Sequence, residues 1–194
     1  APTGTSYYNA EADKAVGYDP EKAKAYLAKS KYADKAEFEL LVPSIPYLFD
    51  AKDGAVVMQS QLAKIGIAMK ITPMEQPQIL TRAIAGTQVA CLLPLMAPSD
   101  PTFIIQICFT NNQIMSKSSG YTSTALDAAI QESYKYTDSA RLDPVLKKIQ
   151  DILVEDCPNI FLGFVGVANA WRAEVKGFKP NTGLTMWVRD VSLG

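Results

Sequence analysis

Apolar residues repeat along the chain with two periods, one typical of helices and one typical of strands. Within residues 50–65 they recur at steps of four and three, at Ala51, Ala55, Met58, Leu62 and Ile65. That spacing predicts an amphipathic helix, and Gly66 directly after it predicts where the helix ends. Residues 37–42 and 67–72 instead alternate apolar and polar positions, so each stretch predicts a strand with one buried face.

A third predicted strand, residues 88–93, is continuously apolar from position 89 onward, as expected for a strand buried on both faces. Pro94 interrupts strand hydrogen bonding, and Pro98 with Asp100-Pro101 predicts a turn into a short helix. α/β proteins bind ligands in loops of this kind, at the carboxyl edge of the sheet. An ordinary strand–loop–helix connection without a ligand is the alternative that the pattern leaves open.

Further apolar patterns complete an alternation of helices and strands. Helices are predicted for residues 19–30, 75–85, 122–135 and 141–155. Late strands are predicted for residues 160–165, 169–174 and 185–192. The polar stretch 111–120 is predicted to be a loop, and residues 1–17 an extended lead-in. This order predicts a single α/β unit in which helices flank a mixed β-sheet.

Charge and composition exclude several kinds of partner. The chain carries 19 basic and 20 acidic side chains, a net charge of −1, so no basic surface for nucleic acid is predicted. No apolar run approaches the roughly 20 residues that span a bilayer. The chain opens on APTG without a basic and apolar leader, so a signal peptide was either never there or has been removed from a mature or trimmed chain.

The residues available for chemistry are few. Histidine is absent, which removes the commonest metal ligand and general base and excludes a Ser-His or Cys-His nucleophile within this chain. The three cysteines, Cys91, Cys108 and Cys157, are widely spaced and fit neither a disulfide framework nor a zinc site. The sequence therefore predicts no metal and no cofactor.

Six segments, in order, resemble the extracytoplasmic solute-binding proteins of the peptide/nickel ABC importer class, family 5. They are YDPEKAKAYL at 18–27, QSQLAKIGI at 59–67, Asp100-Pro101, Gly120-Tyr121 with LDA at 126–128, VEDCPNI at 154–160 and VKGF at 175–178. Each segment alone is unspecific, but six of them in the family's order cover most of the chain.

The resemblance implies a fold, a location and partners. Full-length members have two lobes that close on a solute, and this chain matches their C-terminal part. Residues 1–194 are therefore expected to form the C-terminal lobe of a periplasmic-binding-protein type II-like fold, without the N-terminal lobe. The implied location is the periplasm, and the implied partners are the solute, the permease subunits of an ABC transporter and the N-terminal lobe.

The chain departs from the peptide-binding members at the positions that hold a peptide's charged ends. Where those members carry an Asp three residues before Asp-Pro, this chain has Ala97, and Leu93-Pro94 replaces their Gly-Trp. The basic residue expected before Pro46-Tyr47 is Ile45. A pocket edge without charge clamps suits an apolar or uncharged solute rather than a free-terminus peptide. The predicted ligand-binding residues are Tyr47, Pro94, Leu95, Met96, Ala97, Ser99 and Asp100.

Two other functions stay open beside solute capture. An enzyme would need Asp100 together with Asp127 or with Glu155-Asp156, and nothing in the sequence brings these acids together. A chaperone-like module that binds unfolded chains is the second, since some proteins of this class do so. Solute capture without chemistry is the leading prediction.

Overall fold

The computed structural model describes residues 1–15, 17–44, 51–87, 90–95, 100–111, 113–164, 168–180 and 186–194. The helices in this part of the chain are α1 (Ala10–Ala15), α2 (Pro20–Lys29), α3 (Ala51–Ala63), α4 (Gln76–Ala85), α5 (Pro101–Phe109), α6 (Ile114–Ser119), α7 (Thr124–Ser133) and α8 (Ser139–Asp156). The strands are β1 (Ala36–Pro43), β2 (Ile67–Met74), β3 (Ala90–Cys91), β4 (Val175–Lys176) and β5 (Ser192–Leu193).

The three strands predicted in the first half of the chain contribute to one sheet, in the order β2-β1-β3. Of the predicted strand 88–93, residues 90–91 form β3, residues 92–93 do not, and 88–89 lie outside the described residues; β3 is half-buried rather than buried on both faces. Both pairings are parallel, and Leu40 of β1 lies opposite Ile71 of β2 and Ala90 of β3. Antiparallel pairing, in the part of the chain that the structure describes, occurs in the separate β4–β5 ribbon. Helices flank the parallel sheet, so the α/β prediction is confirmed.

The prediction of one buried face for β1 is wrong in the second half of the strand, where Leu40 to Pro43 are all buried. Successive side chains point to opposite sides of a strand, so both faces are covered there. Leu40 and Val42 belong to an apolar cluster with Ala51 and Ala55 of α3. Leu41 is as deeply buried, and alternation directs it to the other face, where α4 contacts β1. The central strand is therefore enclosed between α3 and α4.

Helix α3 follows the predicted stripe and packs on the sheet through small side chains. Ala51 and Ala55 are buried in the cluster, and Met58 and Leu62 of the same stripe pack against it while half-buried. The amide of Gln59 donates a hydrogen bond to the carbonyl oxygen of Met69 at 2.6 Å, which fastens α3 to the outer strand β2. Gly66 has a φ of 87°, the left-handed conformation that ends a helix at low cost.

A second apolar cluster joins α5, α7 and α8. Its fully buried members include Leu126 and Ile130 of α7 and Leu146 and Ile149 of α8. The inward face predicted for α7, namely Leu126, Ala129, Ile130 and Ser133, is buried as expected.

The extended lead-in predicted for residues 1–17 is wrong, since α1 forms there and lies along α8. Asn9 accounts for both features. Its side-chain oxygen accepts the backbone N–H groups of Glu11 and Ala12, which starts the helix, and its amide donates to Asp151 at 2.6 Å. The amide of Gln150 also donates to the carbonyl oxygen of Tyr7 at 2.8 Å.

Two further predictions in the helical half need correction. The polar stretch 111–120 contains the helix α6, which packs against α4 and α5. Helix α8 begins at Ser139 rather than Arg141, because Asp138 caps it by accepting the Arg141 N–H at 3.1 Å. Pro144 consequently lies inside the helix rather than in its first turn.

The late strands are the poorest prediction. The sequence predicts a buried strand over residues 160–165, yet 160–164, the part of it that the structure describes, lacks regular structure, and Ile160 is 82% exposed. A strand needs a neighbour to pair with, and the described part of this chain offers none at that segment. Residues 169–174 also form no strand, and the terminal strand is confined to β5.

One glycine has a clear steric role in the ribbon that β4 and β5 form. Gly177 follows β4 with a φ of 74°, and a Cβ built there would lie 2.0 Å from the backbone oxygen of Asp190. Only glycine permits this approach, because backbone atoms cannot move aside as a flexible side chain can.

The two isoleucines of α4 provide a matched test of the packing. The sequence predicts that both face inward, but Ile79 is 0% exposed whereas Ile84 is 52% exposed. We expect Ile79→Ala to lower the free energy of unfolding by about 2–5 kcal/mol, because it leaves a cavity. Ile84→Ala should change it by less than about 1 kcal/mol. Urea denaturation followed by circular dichroism measures both, and equal losses would contradict the assignment of the buried face.

Candidate ligand-binding site

The carboxyl ends of the three parallel strands lie at one edge of the sheet. Beyond β1, the N–H of Ser44 donates to the carbonyl oxygen of Met74 at 3.0 Å. Beyond β3, the N–H of Leu92 donates to the carbonyl oxygen of Leu41 at 2.9 Å. The loops that follow the strands therefore start side by side, at the edge where open α/β sheets bind ligands.

Three of the predicted ligand-binding residues fall in the described part of the chain. Pro94 is half-buried, Leu95 is 52% exposed and Asp100 is exposed. Leu95 thus offers an apolar surface beyond the sheet edge. Tyr47, Met96, Ala97 and Ser99 lie outside the described residues, so their part in a site stays a prediction.

Asp100 caps helix α5, as the Asp-Pro pair predicts. Its Oδ1 accepts the backbone N–H of Thr102 at 2.9 Å and the Thr102 hydroxyl at 2.7 Å, and Pro101 occupies the first turn. Its Oδ2 has no hydrogen-bond partner among the described residues. One oxygen of this carboxylate therefore holds the helix, while the other is open to a ligand.

Asp127 connects the end of α5 to the start of α7. Its carboxylate accepts the backbone N–H of Asn111 at 3.1 Å and also the Asn111 side-chain amide. The hydroxyl of Ser116 donates to the carbonyl oxygen of Thr110 at 2.6 Å in the same turn. The two bonds from Asn111 therefore give the Asp127 carboxylate a structural partner.

Tyr121 ties the loop before α7 to the last turn of α8. Its hydroxyl donates to Asp156 Oδ2 at 2.5 Å. Partial burial, and then this hydrogen bond, raise the pKa of the Tyr121 hydroxyl, so that it stays protonated through the neutral range. Asp100, Asp127 and Asp156 are three of the acids that the enzyme alternative names, and each bonds a different structural partner.

The structure contains a polar pocket that the sequence did not predict. Asp100 and Thr102 form one wall, and the turn between α7 and α8 forms the other with Tyr134, Tyr136 and Thr137. Its volume is about 330 Å³. The segment 133–137 was the available signal, since four of its five residues carry a hydroxyl and it follows the apolar face of α7.

The described residues place further limits on this region. They contain no group of three or more His, Cys, Asp or Glu side chains able to hold a metal ion. Across the same described ranges, no helix is both long and apolar enough to cross a lipid bilayer.

The chain matches a known family over more than half its length. Residues 1–115 match the model described as bacterial extracellular solute-binding proteins, family 5 middle. A dipeptide-binding protein of Pseudomonas aeruginosa is 29% identical over 182 residues, which cover 92% of this chain and 34% of that protein. The chain thus spans about a third of the length of the curated relatives that it matches.

Solved structures have the same fold. The ABC transporter-associated periplasmic binding protein DppA of Helicobacter pylori, in complex with the peptide STSA, has a TM-score of 0.68 and 25% identity, covering 81% of this chain and 31% of that one. The binding protein AgaA of Agrobacterium tumefaciens, in complex with agropinic acid, has a TM-score of 0.76 and 22% identity, covering 100% of this chain and 41% of that one.

The Tyr121–Asp156 bond can be tested by removing one hydroxyl. We expect Tyr121→Phe to lower the free energy of unfolding by about 1 kcal/mol at pH 7, the contribution of one hydrogen bond. The raised pKa of Tyr121 means that the folded state holds this proton more tightly, so its stabilisation is complete below about pH 10 and is lost as the pH rises further.

The difference in the free energy of unfolding between wild type and Tyr121→Phe should therefore become smaller above pH 10. Urea denaturation between pH 7 and 11 measures this difference. The matched control is Tyr18→Phe, because Tyr18 is 80% exposed. A gap that stays constant or widens at high pH would show that the hydroxyl does not act through its proton.

Proposed function

The chain belongs to the bacterial extracellular solute-binding proteins of family 5, and on that premise we propose that it helps to capture a small solute outside the cytoplasm for delivery to an ABC transporter. The observation that carries this proposal is the family match over residues 1–115, which includes the whole parallel sheet and its carboxyl edge. A sheet edge of this kind supplies one wall of a ligand cleft. The partners would be the solute and the permease subunits of the transporter.

We propose that this chain is the C-terminal lobe of a two-lobed protein and that it works with an N-terminal lobe it does not include. Coverage of only 34% of a curated relative supports this division. So does the C-terminal segment, where Phe161, Phe164 and Trp187 are all more than half exposed. Exposed apolar side chains concentrated in one segment mark a surface that another part of a protein covers.

The β4–β5 ribbon adds a second argument for a covering lobe. A groove of about 770 Å³ runs beside it, lined in part by Arg172, Val175 and Leu193. Leu193 is 83% exposed at the end of the edge strand β5. An open edge and an apolar side chain together favour pairing with a further strand.

Location and chemistry follow from the same premise. We propose the periplasm as the site of action, since proteins of this family act outside the cytoplasm. We also propose that the chain binds its solute without transforming it. In support, the relatives reported above are described as binding proteins, and Asp127 and Asp156 bond structural partners.

The solute, in this proposal, is not a peptide held by its free termini. The relatives from Pseudomonas aeruginosa and Helicobacter pylori bind a dipeptide and the peptide STSA, as their names state. In this chain Ala97 replaces the acid that would pair with a peptide's ammonium, and Ile45 replaces the base for its carboxylate. An unpaired charge inside a closed cleft is costly, so an uncharged or largely apolar solute fits better.

We expect the isolated 194-residue chain to bind the solute far more weakly than the full two-lobed protein, because half of the cleft wall is missing. A solute that saturates the full protein at 100 times its Kd should stabilise it by about 2.7 kcal/mol, whereas the isolated chain should show almost none of this stabilisation. A thermal-shift screen of candidate solutes on both proteins measures the difference. Equal affinity for the same solute would contradict the two-lobed proposal.

We expect wild-type full-length protein to bind mixed short peptides weakly, and Ala97→Asp to bind them about tenfold more tightly or better. A hydrogen bond to a charged group contributes about 1.5–3 kcal/mol, which corresponds to at least that factor. Calorimetry with free and N-acetylated peptides measures the gain, and Ala97→Asn is the uncharged control. Tight wild-type binding that is lost on acetylation would mean that the ammonium is clamped after all.

A further inference from the structure

The pocket between α5 and the α7–α8 turn lies next to the candidate cleft. It begins at Asp100, the residue that ends the loop after β3 and starts α5. Its volume of about 330 Å³ is at the lower end for small-molecule sites, which measure roughly 300–1,000 Å³.

Hydroxyl groups dominate the lining of this pocket. Five of the lining residues carry one, namely Thr102, Ser133, Tyr134, Tyr136 and Thr137. The Ser133 hydroxyl is buried and donates to the carbonyl oxygen of Ile130 at 2.7 Å, so it is not offered to a ligand. A hydroxyl both donates and accepts hydrogen bonds, so such a wall matches a ligand whose own groups do the same. Leu142 and the tyrosine rings add apolar faces against which C–H groups can pack.

The charges around the pocket disfavour an anion. Neither lysine nor arginine is among the described residues that line it. The nearby Arg141 donates to Asp138 at 2.7 Å, and its guanidinium lies 5.2 Å from the centroid of the Tyr136 ring, so its charge is already balanced. The charge that remains at the pocket wall is the Asp100 carboxylate, whose Oδ2 can accept a hydrogen bond.

Tyr134 keeps its phenolic proton over the neutral pH range. Partial burial, and then the charge of Asp100, raise the pKa of its hydroxyl. The phenol therefore stays protonated beside the carboxylate. Thr102 differs, because its hydroxyl already donates to Asp100 at 2.7 Å and its remaining capacity is as an acceptor.

We propose that this pocket binds a polyhydroxylated, uncharged group, such as the sugar or alditol part of a solute. A group of that class supplies hydroxyls to the carboxylate, threonine and tyrosine oxygens, and C–H faces to the tyrosine rings and Leu142. The inference rests on the proposed function, since it names the chemical class of part of the captured solute. It agrees with a cleft edge that lacks clamps for charged termini.

The test titrates the isotope-labelled full-length protein with sorbitol, using methylammonium and cyclohexanol as comparison probes. We expect sorbitol to shift the backbone amide NMR signals of residues 102 and 133–137, and the two comparison probes to leave them nearly unchanged. Thr137→Val and Tyr136→Phe should each weaken sorbitol binding about two- to tenfold, because each removes one hydrogen-bonding group. Thr124→Val, an exposed threonine at the start of α7, is the matched control and should bind like wild type.

Asp100→Asn separates a polyol site from a cation site. Asparagine caps a helix about as well as aspartate, so α5 should keep its start while the charge is lost. An amide still exchanges hydrogen bonds with hydroxyls, so sorbitol binding should change by no more than about threefold. Methylammonium shifts that exceed those of sorbitol and vanish in Asp100→Asn would overturn the polyol proposal in favour of a cation.

The outcome is independent of solute capture itself. If the full-length protein binds a solute in the thermal-shift screen but sorbitol shifts no signal at the pocket, this inference is wrong and the proposed function stands. If sorbitol binds as expected but no candidate solute stabilises the full-length protein in the thermal-shift screen, the polyol site is supported and the proposed function is wrong.

Discussion

The structure depends on enclosing one strand. β1 has a parallel neighbour on each side, α3 over one face and α4 over the other, and its residues from Leu40 to Pro43 are all buried. A parallel strand in this position must be apolar on both faces, and Leu40, Leu41 and Val42 meet that requirement. The small side chains of α3 let this helix pack close to one face of the sheet, and the hydrogen bond from Gln59 to Met69 holds it there.

The enclosed sheet in turn fixes the candidate site. Once β1, β2 and β3 end at one edge, the loops after them must leave from it, and Asp100 converts the last of these loops into α5. In the helical half of the chain, side-chain hydrogen bonds rather than strand pairing hold the elements in position. Asp127 fastens the end of α5 to the start of α7, and Tyr121 fastens the loop before α7 to the end of α8. The helices around the pocket are therefore held in position relative to one another.

Whether the sequence could predict an element depends on where the packing partners of that element lie. The elements whose partners lie inside the chain were predictable: the β1, β2 and β3 pattern, the α3 stripe with Gly66, and the Asp100 cap all depend on local or nearby residues. The apolar residues 160–165 predict a buried strand, yet Phe161 and Phe164 are exposed, because an apolar segment need not be buried against its own chain. The amphipathic pattern of α4 could not distinguish Ile79 from Ile84, since both are apolar and only the position of the sheet beside the helix decides which of them is buried.

The polar pocket was missed because it combines residues from two distant segments, and no periodicity links Asp100 to Tyr134.

Parallel pairing also has a consequence for the order in which the molecule forms. Ala36 pairs with Ile67, and Leu40 pairs with Ala90, so β1 has no strand partner until a long stretch of later chain has been made. Contacts that are so distant in sequence form slowly, because the loops between them must close first. Helices α7 and α8 are consecutive and pack together, so their cluster can assemble early from local contacts. When the complete chain refolds, it should therefore hold a helical nucleus formed by α7 and α8 while β1 is still unpaired, and that interval is when aggregation competes with folding.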